Sequence, residues 1–185
     1  AMVKRFPPLH GLKLGDTRWE NLPFSEIRFH PHRLDEPLRW RKPQRVLVCS
    51  MGDLFHEDVN PALIIRVFEV MVRCQHHTFI LLTKRPERMK KLICGCLENA
   101  MGEPIDAITN IFLGVSVESP DYLWRVDLLR QTPASLRFVS FEPLIADVGK
   151  VNLAGISWAI VGAESGPHRR PCKLDWIRNL RDKCV

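Results

Sequence analysis

Five apolar runs recur along this chain at intervals of about 20 to 33 residues, and each stops abruptly at a small polar or glycine-bearing cluster. They read Arg45-Val-Leu-Val-Cys-Ser-Met-Gly-Asp53, Thr78-Phe-Ile-Leu-Leu-Thr-Lys-Arg85, Ile111-Phe-Leu-Gly-Val-Ser-Val-Glu118, Leu136-Arg-Phe-Val-Ser-Phe-Glu142 and Trp158-Ala-Ile-Val-Gly-Ala-Glu-Ser-Gly166. The runs are apolar throughout instead of alternating, as strands covered on both faces are. Their spacing is that of strand–helix repeats. The chain therefore reads as α/β with a parallel sheet, and such sheets carry their chemistry at the carboxyl ends of the strands.

Helix signals fill the gaps. Asn60 before Pro61 is a favoured start, and Leu63, Ile64, Val67, Phe68 and Met71 follow at helical spacing. Pro86 and Pro120 mark two further starts, Thr132-Pro133 a stop, and a last helix is expected from Leu174 with Trp176, Ile177 and Leu180 on one face. Gly95 weakens the helix after Pro86, and residues 101–104 read as a loop. A helical turn is expected over 34–40 and a short strand over 26–30, which brings the strands to about six. Residues 1–25 are irregular, and residues 26–185 form one domain.

An open doubly wound sheet and a barrel both satisfy this order. The barrel is favoured because polar residues follow nearly every strand, whereas an open sheet gathers its site at one switch point. The expectation is a partial (incomplete) parallel (β/α) TIM-like barrel, two strands short of eight and truncated at both ends.

Composition narrows the function classes. At 45% apolar residues, wholesale disorder is excluded. No apolar stretch nears the roughly 20 residues of a membrane helix, so no membrane partner is expected, and the start lacks the apolar core of a secretory signal. A soluble, cytoplasmic protein is expected. A net charge of +6 suits a nucleic acid or a phosphate-bearing small molecule as partner. Basic residues cluster at 39–45, 84–91 and 168–173. Of six cysteines only Cys94 and Cys96 are close, and their spacing misses the zinc pattern, so no metal is expected in this chain.

The strand ends hold the candidate site. Ser116 and Glu118, and likewise Ser140 and Glu142, share a strand face because side chains alternate. Two carboxylates on one rim suit metal or amine binding, or acid–base work; the alternative is a structural layer paired with Lys84 and Arg85. Glu118, Glu142, Asp53 and Lys84 are the candidate catalytic residues. His56 beside Asp53 reads as an ordinary surface residue. The loop of Gly162, Glu164, Ser165 and Gly166 lets backbone approach a ligand closely. With Ser116 and Ser140 it forms the candidate cofactor contact, and Arg85, Arg169 and Arg170 are the candidate substrate cations.

Six motifs in order carry a family resemblance: His30-Pro-His-Arg-Leu-Asp-Glu-Pro-Leu-Arg-Trp40, Ser50-Met-Gly-Asp-Leu-Phe-His56, Leu82-Thr-Lys-Arg-Pro-Glu-Arg88, Gly114-Val-Ser-Val-Glu118, Arg137-Phe-Val-Ser-Phe-Glu-Pro-Leu144 and Val161-Gly-Ala-Glu-Ser-Gly166. From about residue 26 onward the chain resembles the uncharacterised bacteriophage protein family named for phage gene products thirty-seven and sixty-eight. Members usually carry an upstream segment of three cysteines similar to that of radical S-adenosylmethionine enzymes, and one more strand after the last helix. None of the six cysteines here matches that segment. The resemblance implies a radical S-adenosylmethionine-like barrel, with S-adenosylmethionine and a [4Fe–4S] cluster in a longer parent protein, neither in this chain as given, and this chain inactive alone. A nucleic acid or nucleotide-like substrate is the leading expectation. A non-catalytic nucleic-acid-binding module and a metal-independent small-molecule enzyme using the rim carboxylates remain the alternatives.

Overall fold

Each apolar run forms a strand, and the five strands hydrogen-bond side by side in the order in which they occur in the chain. The computed structural model describes residues 29–102 and 104–184. Its elements are a short α1 (Pro31–Leu34), β1 (Arg45–Val48), α2 (Pro61–Arg73), β2 (Thr78–Thr83), α3 (Pro86–Leu92), α4 (Glu98–Met101), β3 (Ile111–Ser116), α5 (Trp124–Arg130), β4 (Leu136–Phe141), β5 (Trp158–Val161) and α6 (Leu174–Arg181). All four strand pairings are parallel.

Local chemistry accounts for the boundaries. The Asn60 side chain accepts from the Ala62 amide at 2.9 Å, with Pro61 in the first turn. That cap meets one of the orphaned donors of a helix start. Ile64, Phe68 and Met71 then turn into the core, each burial contributing about 1.5–3 kcal/mol. The helix after Pro86 runs further than expected. It continues through a π turn over Ile93–Leu97 that contains Gly95, into α4, and ends at Gly102 in the left-handed region (φ 73°). Ile93 and Leu97 are both wholly buried, and that gain exceeds the ~1 kcal/mol helix penalty of one glycine.

The register divides the side chains into two faces. Val46, Phe79, Leu81, Ile111, Leu113, Val115, Val139 and Phe141 pack in one core with α2, α3, α5 and Leu180 of α6. The alternate set, Leu47, Ile80, Leu82, Phe112, Phe138 and Ile160, stands outside that cluster. A sequential parallel order explains the division, because right-handed crossovers carry successive connections to the same side. On the second face Phe138 lies across Gly114, its partner in β3, and against Trp158 at 5.2 Å between ring centroids. A Cβ on Gly114 would fall 2.5 Å from Phe138 Cε1. Glycine is the residue that lets this ring lie flat on β3.

Among the described residues the sheet has five strands, and its edge strands β1 and β5 do not pair with each other. The strand expected over 26–30 falls mostly outside the described residues, and Phe29 and His30 belong to no strand. Instead the His30 carbonyl accepts from Arg33 at the start of α1. Among the described residues no helix is long and apolar enough to cross a membrane.

Candidate functional site

Parallel pairing brings the carboxyl ends of the strands to one edge. Thr83 is level with Val115, Ser116 with Ser140, and Phe141 with Val161. The residues that follow each strand, Asp53, Lys84, Glu118, Glu142 and Glu164, therefore share that edge although they are distant in sequence.

The first end is built around Asp53. Its carboxylate accepts from Thr83 Oγ1 at 2.8 and 2.9 Å, the Lys84 amide at 3.2 Å, the Phe55 amide at 3.0 Å and Arg85 at 3.0 Å. Both oxygens are engaged, so Asp53 clamps the loop after β1 to the end of β2. Arg85 also donates to Glu57 at 2.8 Å. A backbone hydrogen bond and then this arginine hold the Glu57 carboxyl below the usual range. Arg85, expected as a substrate cation, is held between two carboxylates. His56 Nδ1 accepts from the Asp58 amide at 3.3 Å and lies 3.7 Å from the Asp58 carboxylate. Cys49 precedes the clamp at φ 55°. Burial and then the Asp53 charge push its thiol up to about 11, which leaves it a poor nucleophile.

Glu118 is buried between two cations. Lys84 Nζ approaches Oε1 at 2.5 Å, and Arg125 NH1 approaches Oε2 at 3.2 Å. Arg125 also donates to the Ser116 carbonyl at 2.8 Å and stacks on the Tyr122 ring at 4.1 Å. Lys84 is 57% exposed and Arg125 only 9%, so one charge reaches solvent and the other is structural. Arg125 was missed in the sequence. It sits on α5 between Trp124 and Val126, seven residues from its partner, and nothing local marks the pairing.

Glu142 differs. Its side chain is exposed and makes no hydrogen bond or ion pair with any described residue. It is packed against the β5 end: a Cβ on Gly162 would stand 2.8 Å from its carboxyl carbon. The backbone beneath is fixed by Leu144 donating to the Gly162 carbonyl at 2.8 Å and Ile145 to the Glu118 carbonyl at 3.0 Å. Level with one another on the sheet face opposite the helix core, Ser116 and Ser140 are buried, and neither hydroxyl has a partner among the described residues.

The 162–166 loop closes on itself. Glu164 accepts from the Arg170 amide at 2.7 Å and from its guanidinium at 2.8 and 2.9 Å. The Arg170 side chain holds the Glu164 carboxyl down at about 2. Arg170 is thus engaged within the chain, while Arg169 makes one long contact, 3.5 Å, to the Gly166 carbonyl. Ser165 and Gly166 are exposed. A groove of about 540 Å³ lies elsewhere, at the amino end of β5, lined by Ser157, Trp158, Asp182 and Cys184 among others; it takes no part in this edge.

Among the described residues no three His, Cys, Asp or Glu side chains come together as a metal site. Among the described residues this edge thus carries one unpaired carboxylate, Glu142, two buried serine hydroxyls, and the half-exposed ammonium of Lys84 paired with Glu118. The family described as "Protein of unknown function (DUF5131)" matches residues 2–185. The chain belongs to this family. No curated protein and no solved structure matches the DUF5131 chain.

Proposed function

We propose that the carboxyl-end rim binds a nucleoside-type ligand in a partial (β/α) barrel of the radical S-adenosylmethionine-like kind. The observation that carries this reading is Glu142, an unpaired carboxylate standing on Gly162, while Asp53, Glu118 and Glu164 are all engaged by cations. A carboxylate with no partner among the described residues suits the hydroxyls of a ribose or an amino group, which donate charge-assisted hydrogen bonds. Ser116 and Ser140 supply further polar contacts below it, and Lys84 offers a positive charge for a carboxylate or phosphate. The sequential strand order, with the helix core of the described residues on one sheet face, supports the barrel type of architecture.

S-adenosylmethionine on an iron–sulfur cluster is a source of radical chemistry. The described residues do not supply the thiolates for such a cluster. What this chain contributes on the proposed reading is binding and orientation by Glu142, Ser116 and Ser140.

Calorimetric titration of S-adenosylmethionine and of adenosine into the 185-residue protein tests the ligand. Saturable binding is expected, weakened about tenfold or more in Glu142→Gln with an unchanged melting temperature, the value of one charged hydrogen bond. Equal binding by both proteins, or none by either, overturns it. Anaerobic reconstitution with iron and sulfide of a family member that carries the three-cysteine segment tests the radical part; no iron uptake there sinks that part alone.

A further inference from the structure

The end of the molecule opposite the rim carries a different surface. Every described arginine donates at least one side-chain hydrogen bond except four: Arg39, Arg41, Arg45 and Arg73. All four are exposed, as is Lys42, and all five lie on two chain stretches fastened together. His76 Nε2 is 3.0 Å from the Trp40 carbonyl, the Gln44 amide donates to His77 Nδ1 at 3.2 Å, and the Thr78 amide donates to the Gln44 carbonyl at 2.8 Å. Arg45 begins β1 level with Thr78, and Arg73 ends α2. The cations thus converge at the amino ends of β1 and β2, about 20 Å from the rim at ~3.3 Å per strand residue. Among the described residues the acids near them in the chain do not offset them: Glu36 and Glu69 are paired with Arg33 and Arg66, which leaves Asp35.

We infer that this amino-end patch is a docking surface for the phosphodiester backbone of a nucleic acid. Charged side chains left unpaired at a folded surface concentrate a positive field there. Arginine forks, moreover, match phosphate oxygens two at a time. An anionic membrane fits less well, because surface-lying anchors add apolar side chains for insertion. Among the described residues the exposed large apolar side chains are Met51, Tyr122, Trp124, Trp158 and Leu174, none of them in the patch. The inference does not depend on the ligand proposed for the rim.

Fluorescence anisotropy with labelled 25-nucleotide single-stranded DNA, RNA and duplex DNA tests it across a salt series. The patch variant is Arg39→Gln, Arg41→Gln, Arg45→Gln and Arg73→Gln together; these unbonded, exposed side chains are removable without loss of fold, checked by circular dichroism. A charge-matched control replaces Arg66, Lys91, Arg178 and Arg181 with Gln. Binding by the wild type is expected at low salt, weakened about 100-fold in the patch variant, with the slope of log K against log salt reduced by about 3 to 4. The control is expected to lose less than about fivefold. Equal losses in the two variants, or no nucleic-acid binding by wild type at 50 mM salt (an order-of-magnitude choice of screening), overturn the assignment. So does retention on phosphatidylserine vesicles without nucleic-acid binding. Glu142→Gln is expected to bind nucleic acid as wild type does, which separates failure here from failure of the rim reading.

Discussion

The carboxylate of Glu142 lies where a side chain on Gly162 would have to be: a methyl group there would stand 2.8 Å from its carboxyl carbon and 2.9 Å from Oε1. The glycine that follows β5 is therefore part of the rim. Gly162→Ala pushes an exposed, flexible side chain aside, which costs under about 1 kcal/mol in stability. Ligand binding at the rim is expected to fall as in Glu142→Gln. Denaturation and calorimetry on the same sample check both halves, and a large loss of stability with intact binding would contradict the geometry.

Gly114 behaves differently because its neighbour cannot move. The Phe138 ring that a Cβ would strike is 1% exposed. Gly114→Ala is expected to destabilise by about 2 kcal/mol or more. Phe138→Leu should recover part of that loss in the double variant, since the two residues share one space. Urea midpoints of the four proteins decide it; simple additivity counts against the packing described.

The cations around Glu118 should rank by exposure. Glu118→Gln leaves the buried Arg125 without its counter-charge and is expected to destabilise on the order of 3 kcal/mol. Lys84→Gln removes the exposed partner and is expected to change stability by under about 1 kcal/mol. Reversal of that order in chemical denaturation would show Lys84 to be the structural partner.

His77 makes stability depend on pH. Its Nδ1 accepts from the Gln44 amide at 3.2 Å and its Nε2 donates to the Pro37 carbonyl at 3.0 Å, which is the neutral ring. Burial lowers its pKa below the ordinary 6.5, against the pull of the Pro37 carbonyl and with the help of His76. The unfolded chain therefore binds the proton more tightly. The contribution of His77 is complete above about pH 6.5 and fades as pH falls from there toward the folded value. The melting-temperature gap between wild type and His77→Gln should narrow between pH 7.5 and pH 5 (roughly one unit above and below the free imidazole value). A constant gap means that the ring is not held neutral.

Most of the fold was legible because burial writes itself into periodicity. Continuous apolar runs marked all five described strands, and Asn60 with Pro61, Pro86 and Pro120 marked helix starts through local backbone chemistry. The shared edge of Asp53, Lys84, Glu118, Glu142 and Glu164 followed from parallel pairing alone. Arg125 shows the limit, since nothing near it in sequence marks its pairing with Glu118.

What the chain determines by itself is which residues lie in strands and helices and which face each one buries, because those properties depend on the nearest few positions. Only the tertiary structure decided which charges meet. Glu118 and Arg125, Asp53 and Arg85, Glu164 and Arg170 are joined through space, and their pairing is what leaves Glu142 on the rim, and four arginines at the opposite end, without a side-chain hydrogen bond among the described residues. Electrostatic and hydrogen-bond partners act over a few ångströms regardless of sequence separation, so no local pattern records them.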